Sequence, residues 1–349
     1  MATRVTLKLV ALGVSIALGS LVFALPVSAQ PPAKVPRVGV LCPWVCPTPA
    51  GERGSLSFAQ KHPDNLMADE AFRLGLRDLG YVEGQNVVIE WRSAMGHYDW
   101  LAGLAQDLVQ LNVDVLVTVG APWVHRFVQT HTRIPIVLAH VADPVMSGLV
   151  ANLARPGGNI TGLSLPSHEL EGKQLQLVKE AVPGLARVAL LFNPDNPASD
   201  RHHQELQNAA RVLFLEVEPV AFRGAADLDK AFSRIREIHA GALLLTGEPM
   251  ILTNQMQLLE LAKRARLPTV AQFRDQAELG SLITYGPNMN DMFRRAATFV
   301  DRILKGTRPG DLPMEQPMRF ELLVNLATAR ALGLTVPQAV LMRADRVIQ

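Results

Sequence analysis

Val113-Asp-Val-Leu-Val-Thr-Val-Gly-Ala-Pro122 is the stretch that decides the fold. Its first half is a run of apolar, mostly β-branched residues, the pattern of a strand buried on both faces of a parallel sheet. It stops at Gly120-Ala-Pro122, where a turn opens and a helix begins. A similar unit recurs at Ala240-Gly-Ala-Leu-Leu-Leu-Thr-Gly-Glu-Pro249. In both, an apolar strand is followed by Thr and then Gly-x-Pro. The segments behind them also pair: Arg133-Ile-Pro-Ile-Val-Leu-Ala-His140 with Arg266-Leu-Pro-Thr-Val-Ala-Gln-Phe273. In front of them, Arg37-Val-Gly-Val-Leu41 pairs with Arg187-Val-Ala-Leu-Leu-Phe192. The three signatures return in the same order at unequal offsets of 150, 127 and 133 residues. Unequal spacing argues against a short repeat array and for two similar α/β halves.

Between these strands lie amphipathic stretches. Phe72, Leu76 and Leu79 mark a helix over 67–79. Leu101, Leu104, Ala105, Leu108 and Leu111 mark one over 98–111. Asp143-Pro144 reads as a helix cap followed by a first helical residue. Arg155-Pro-Gly-Gly-Asn159 is a strong breaker, and the first crossing between the halves is expected near it. Alternation continues through 285, and a striped helix over 292–304 is assigned back to the first half. Such alternation with short links means parallel sheets covered on both faces.

The 349 residues suffice for two cores. The formal net charge is +2, and Arg4 and Lys8 supply it, so charge alone implies no nucleic-acid surface. Those two residues precede an apolar run over 9–25 and the small residues Val27-Ser-Ala29. This is the layout of a cleaved export signal over residues 1–29, with an uncleaved membrane anchor as the alternative. The two cysteines, Cys42 and Cys46, read as a local disulfide or as free thiols, since a metal site would need more ligands.

In open parallel sheets ligands sit at the carboxyl ends of the strands. The candidates there are Trp44, Thr118, Gly120, Ala121, Asp143, Ser164, Asn193, Asp195, Glu248, Phe273 and Tyr285. Trp44, Phe273 and Tyr285 are candidates for stacking on a ligand, with core or rim packing as the alternative. Thr118 and Ser164 offer hydroxyls. Asp143 and Glu248 offer charge to an ammonium, although Asp143 reads first as a helix cap. Asn193 and Asp195 read first as turn formers. No Gly-x-Gly-x-x-Gly fingerprint, Walker loop, nucleophile elbow or metal-ligand spacing occurs, so no catalytic residue, cofactor or metal is assigned.

Several blocks resemble a known family. Phe72-Arg-Leu-Gly-Leu-Arg-Asp-Leu-Gly-Tyr-Val-Glu-Gly-Gln-Asn86, the run from Asp143 through Gly162, the run from Tyr285 through Gly306, and Leu341-Met-Arg-Ala-Asp345 are similar to the periplasmic substrate-binding proteins of ABC transporters, in a group that includes tryptophan-binding members. The resemblance implies a type I periplasmic binding fold, with two Rossmann-like lobes and a three-strand hinge. It implies a first lobe from 37–142 and 287–310, and a second lobe with the crossing tail from 143–286 and 311–349. It also implies a monomer that captures an amino acid or related small polar molecule by hinge closure and delivers it to a membrane permease. A ligand-sensing module for a receptor, or less readily an enzyme, is the alternative. The loop from Cys42 to about residue 64 departs from the family pattern, so the resemblance does not carry over a ligand identity.

Overall fold

In a computed structural model of the protein, the described residues are 34–42, 68–95, 97–195 and 199–349. The Cys42–Asp64 loop therefore lies almost wholly outside them, as do residues 1–33. Among the described residues no helix is long and apolar enough to cross a membrane.

The first lobe is built from β1 (Arg37–Cys42), α1 (Ala68–Asp78), β2 (Val88–Ser93), α2 (Leu101–Gln110), β3 (Val115–Val119), α3 (Ala121–Gln129), β4 (Ile136–Ala142) and β5 (Ile160–Leu165). Its sheet has the order β2-β1-β3-β4-β5, parallel throughout. The second lobe contains α4 (Ser167–Ala181), β6 (Arg187–Phe192), α5 (Ser199–Val212), β7 (Glu216–Ala221), α6 (Leu228–Glu237), β8 (Ala242–Leu245), α7 (Pro249–Thr253), α8 (Gln255–Arg264), β9 (Thr269–Ala271), α9 (Arg274–Glu278) and β10 (Ile283–Gly286). The chain then returns to the first lobe with α10 (Met289–Leu304). It finishes in the second with β11 (Glu321–Asn325), α11 (Leu326–Leu332), α12 (Gln338–Leu341) and β12 (Arg346–Ile348). The second sheet runs β12-β11-β10-β9-β8-β6-β7. One pair departs from the parallel expectation: β11 lies antiparallel to β10, because the chain re-enters this lobe at the end by which β10 leaves it, with Glu321 opposite Gly286.

Each sheet has an apolar layer on both faces, which is why its strands are apolar runs rather than alternations. In the first lobe, Phe72, Leu76, Phe293 and Val300 from α1 and α10 cover one face, and Leu101, Leu108, Trp123 and Phe127 from α2 and α3 cover the other. The second lobe packs Leu175, Val178 and Leu206 on one face and Phe232, Ile235 and Leu258 on the other. Helix α10 belongs with the first sheet because α1 makes room for it at Gly75. A Cβ there would lie 2.6 Å from the Arg294 carbonyl oxygen and 2.9 Å from the Ala297 Cβ. Arg294 also pairs with Asp78, and the Tyr81 hydroxyl donates to Asp301 at 3.0 Å.

The expected lobe boundary at 142/143 meets a different arrangement. Ile160–Leu165 pairs with β4 and closes the edge of the first sheet. The chain passes to the second sheet only after Leu165. The breaker at 155–159 turns the chain back within one lobe rather than out of it. Residues 312–315 also run along β5: Thr161 Oγ1 donates to the Leu312 carbonyl at 2.8 Å, and Ser164 N donates to the Glu315 carbonyl at 2.8 Å. Arg295 holds the Glu315 carboxylate with two bonds of 2.6 and 2.7 Å. The lobes are thus joined at three places: 165–167, 286–289 and 315–321.

Candidate functional site

The carboxyl ends of the two sheets face one another. Between them lies a cavity of about 50 Å³. From the first lobe it is lined by Gly120, Ala121, Pro122, His140, Ala142, Asp143, Met146 and Ser147, and from the second by Thr246, Gly247, Glu248, Pro249 and Gln272. Leu165, Ser167 and Glu171, at and just after the first crossing, complete it. A larger hollow of about 530 Å³, bordered by His125, Gly148 and Gly157, lies away from the strand ends.

The two repeated turns meet here. Gly120 caps α3 with φ +67, a conformation that suits only glycine. A Cβ on it would come within 2.7 Å of Pro249 Cγ, on the opposite lobe. The lobes are therefore shut onto one another at this point. Leu252 and Phe273 of the second lobe join the apolar cluster formed by α1 and α10 of the first. The Phe273 ring lies 6.0 Å from the His140 ring, which is 6.4 Å from Phe293.

His140 reaches the cleft through an irregularity in β4. The pairing to β5 shifts between Leu138 and Val141, and the pairing to β3 shifts beside it. Such a bulge re-aims side chains. Gly162 on β5 makes it possible: it has φ +129, and a Cβ there would lie 2.2 Å from the Leu138 carbonyl oxygen. His140 is 2% exposed and its Nε2 has no hydrogen-bond partner. Burial lowers its pKa to about 4, so the imidazole is neutral at physiological pH.

Gln272 is also 2% exposed, with its Nε2 unpartnered. Its backbone N–H donates to Gln276 Oε1 at 3.1 Å. Both residues were missed in the sequence. Gln272 stands beside the chosen Phe273, and adjacent side chains leave an extended chain on opposite sides. Gly162, a glycine inside an apolar strand, is the signal that a bulge lay opposite, next to His140.

Of the residues expected at the site, Gly120, Ala121, Asp143 and Glu248 line the cavity. Asp143 does not cap a helix: it has φ +38, and 143–149 forms turns in which Ser147 N donates to the Asp143 carbonyl at 3.0 Å. Thr118 is buried and its hydroxyl donates to the Leu41 carbonyl at 3.1 Å, tying β3 to β1. Ser164 is buried against 315. Asn193 Oδ1 accepts from Asp195 N at 3.0 Å, a turn closure, and Asp195 pairs with Arg223 at 3.2 Å. Tyr285 stacks on Phe320 with 5.9 Å between ring centres. Phe273 is the apolar contact between lobes described above. These six do not line the cavity, and Trp44 lies outside the described residues. Cys42 is disulfide-bonded. Among the described residues no group of three or more His, Cys, Asp or Glu side chains is placed to hold a metal.

Residues 57–348 match the family described as ABC transporter substrate binding protein. The chain belongs to that family. Its lobes are those of the type I periplasmic binding proteins. A curated relative, the tyrosine-binding protein of Clostridioides difficile, is 24% identical over 279 residues, covering 80% of each chain. A conserved domain protein from Vibrio cholerae superposes with a TM-score of 0.78 at 26% identity, covering 90% of this chain and 100% of its own. An ABC domain from Streptococcus pneumoniae, solved in complex with L-Trp, gives a TM-score of 0.77 at 22% identity, covering 90% and 99%.

Proposed function

We propose that this substrate-binding protein captures an amino acid or related small polar molecule in the cleft between its lobes, outside the cytoplasm, and presents it to an ABC permease. The observation that carries the reading is the cavity at which Gly120-Ala-Pro122 of one lobe meets Gly247-Glu-Pro249 of the other. Only a site shared by both lobes makes ligand binding and closure one event. Two longer helices begin at its wall. Helix α3 starts at Ala121 and α4 at Ser167. Their N–H groups and partial positive charge suit a carboxylate. Asp143 and Glu248 bring carboxylates to the same cavity and suit an ammonium. The relatives named for tyrosine and solved with L-Trp support a ligand of this class.

The cavity of about 50 Å³ holds a few water molecules and no amino acid. Sites for small molecules are typically roughly 300 Å³ or more. The lobes must therefore part to admit a ligand, and the three crossings are the hinge. The exported form begins after Ala29.

The experiment is a thermal-unfolding screen of refolded, ligand-free protein against amino acids, aromatic metabolites, carboxylates and sugars. A ligand at about 100 times its Kd adds roughly 2.7 kcal/mol, a shift of several degrees for a chain of this size. The reading expects the shift with an amino acid. A shift confined to sugars, or none with any amino acid, contradicts it. N-terminal sequencing of the secreted protein should begin at Gln30.

A further inference from the structure

Two polar atoms at the cleft have no use in the fold. Gln272 Nε2 and His140 Nε2 are buried and unpartnered, on opposite lobes, in residues that line one small cavity. A buried polar atom left without a partner is costly, so native structures rarely keep one without a purpose. The seat of Gln272 is also specific. It stands between two glycines at the ends of neighbouring strands. A Cβ on Gly247 would lie 2.5 Å from Gln272 Oε1, and a Cβ on Gly286 would lie 2.0 Å from the Gln272 carbonyl oxygen and 2.9 Å from its Cγ. Any side chain at either glycine would displace the amide or its backbone. Gly247 carries no positive φ, so its need for glycine is one of space alone.

We propose that Gln272 and His140 hold one oxygen atom of the ligand between them and so determine which solute is retained. The inference rests on the reading of this cleft as an amino-acid site. The chemistry selects oxygen. Gln272 Nε2 only donates, so the ligand atom must accept. His140 is neutral, and its Nε2 either accepts from a hydroxyl or donates to a carboxylate, according to tautomer. A hydroxyl or carboxylate oxygen satisfies both residues. An ammonium or a ring N–H satisfies neither arrangement, because it cannot accept from Gln272. The bridge forms only when the lobes are together, which couples recognition to closure.

The test is calorimetric titration of refolded full-length protein with L-tyrosine, L-phenylalanine and tyramine. Wild type is compared with Gln272→Leu and Gly247→Ala. The nearest atoms to a Cβ at 247 are the movable end of the Gln272 side chain, so Gly247→Ala keeps the fold and moves the amide. Both variants should weaken L-tyrosine by about ten- to a hundredfold, the effect of one lost buried hydrogen bond. One analogue should be insensitive to both substitutions: L-phenylalanine if the bridged atom is the side-chain hydroxyl, tyramine if it is the carboxylate. Equal weakening of all three ligands, or no weakening of L-tyrosine, overturns the proposal and leaves the amino-acid reading intact. Failure of all three ligands to bind wild type overturns the proposal, and the amino-acid reading falls with it only if no amino acid of the full panel binds either.

Discussion

Acidification from about pH 7.5 to about pH 5 should remove about 2 kcal/mol of stability through His140 alone. The imidazole is 2% exposed, and its pKa falls from 6.5 to about 4 because burial disfavours the charged form. In the unfolded chain it takes up a proton as the pH drops below about 6.5; in the folded chain it resists until about 4. The unfolded state thus binds more protons in this window. Stability is fully present above the unfolded pKa and is lost as pH falls toward the folded one. At about pH 5 the protonation factor is about 33 for the unfolded residue and about 1.1 for the folded residue. Their ratio, near 30, corresponds to about 2 kcal/mol. Below about pH 3 the effect levels off at about 3.4 kcal/mol. Urea unfolding of wild type and His140→Phe across this range isolates the term, since Phe keeps a ring between Phe273 and Phe293. The variant should lose less stability than wild type by that amount. Parallel loss in both proteins would refute the reasoning.

Other outcomes follow from the packing. Gly75→Ala forces a methyl against the Arg294 carbonyl at the α1/α10 crossing, where a Cβ has 2.6 Å. It should cost about 1–3 kcal/mol in urea unfolding, and an unchanged midpoint would mean α10 is not held there. Thr118→Val removes the hydroxyl that bonds the Leu41 carbonyl. It should cost about 1 kcal/mol of stability and leave ligand affinity unchanged by titration; a tenfold affinity loss would put Thr118 in the site after all.

Much of the fold was legible because it follows from local pattern. The apolar runs at Val115–Val119, Arg187–Phe192 and Ala242–Leu245 are strands, and the striped segments between them are helices. The repeated Gly-x-Pro turns even pointed at the cleft, since Gly120 of one packs on Pro249 of the other. What was not legible depends on pairing at a distance. Arg155-Pro-Gly-Gly-Asn159 reads as a breaker whether the chain leaves a lobe or turns back to pair with β4, and it turns back. Asp143-Pro144 has the grammar of a helix start, yet the positive φ of Asp143 makes it a turn. Side-chain direction was the other gap. Aromatic character drew attention to Phe273, which packs between the lobes, while Gln272 beside it lines the cavity. His140 faces the cleft only because of a bulge that Gly162 permits.

The central claim is that a single solute is held between the lobes. Calorimetric titration of refolded protein with the amino acid that most raises its unfolding temperature tests this most directly, with Ala121→Trp measured alongside. Ala121 lines the cavity at the start of α3, so the larger side chain fills the space a ligand needs. Wild type should show one site per chain and the variant none, with the variant still folded. Undiminished binding to Ala121→Trp would place the ligand elsewhere and contradict the account.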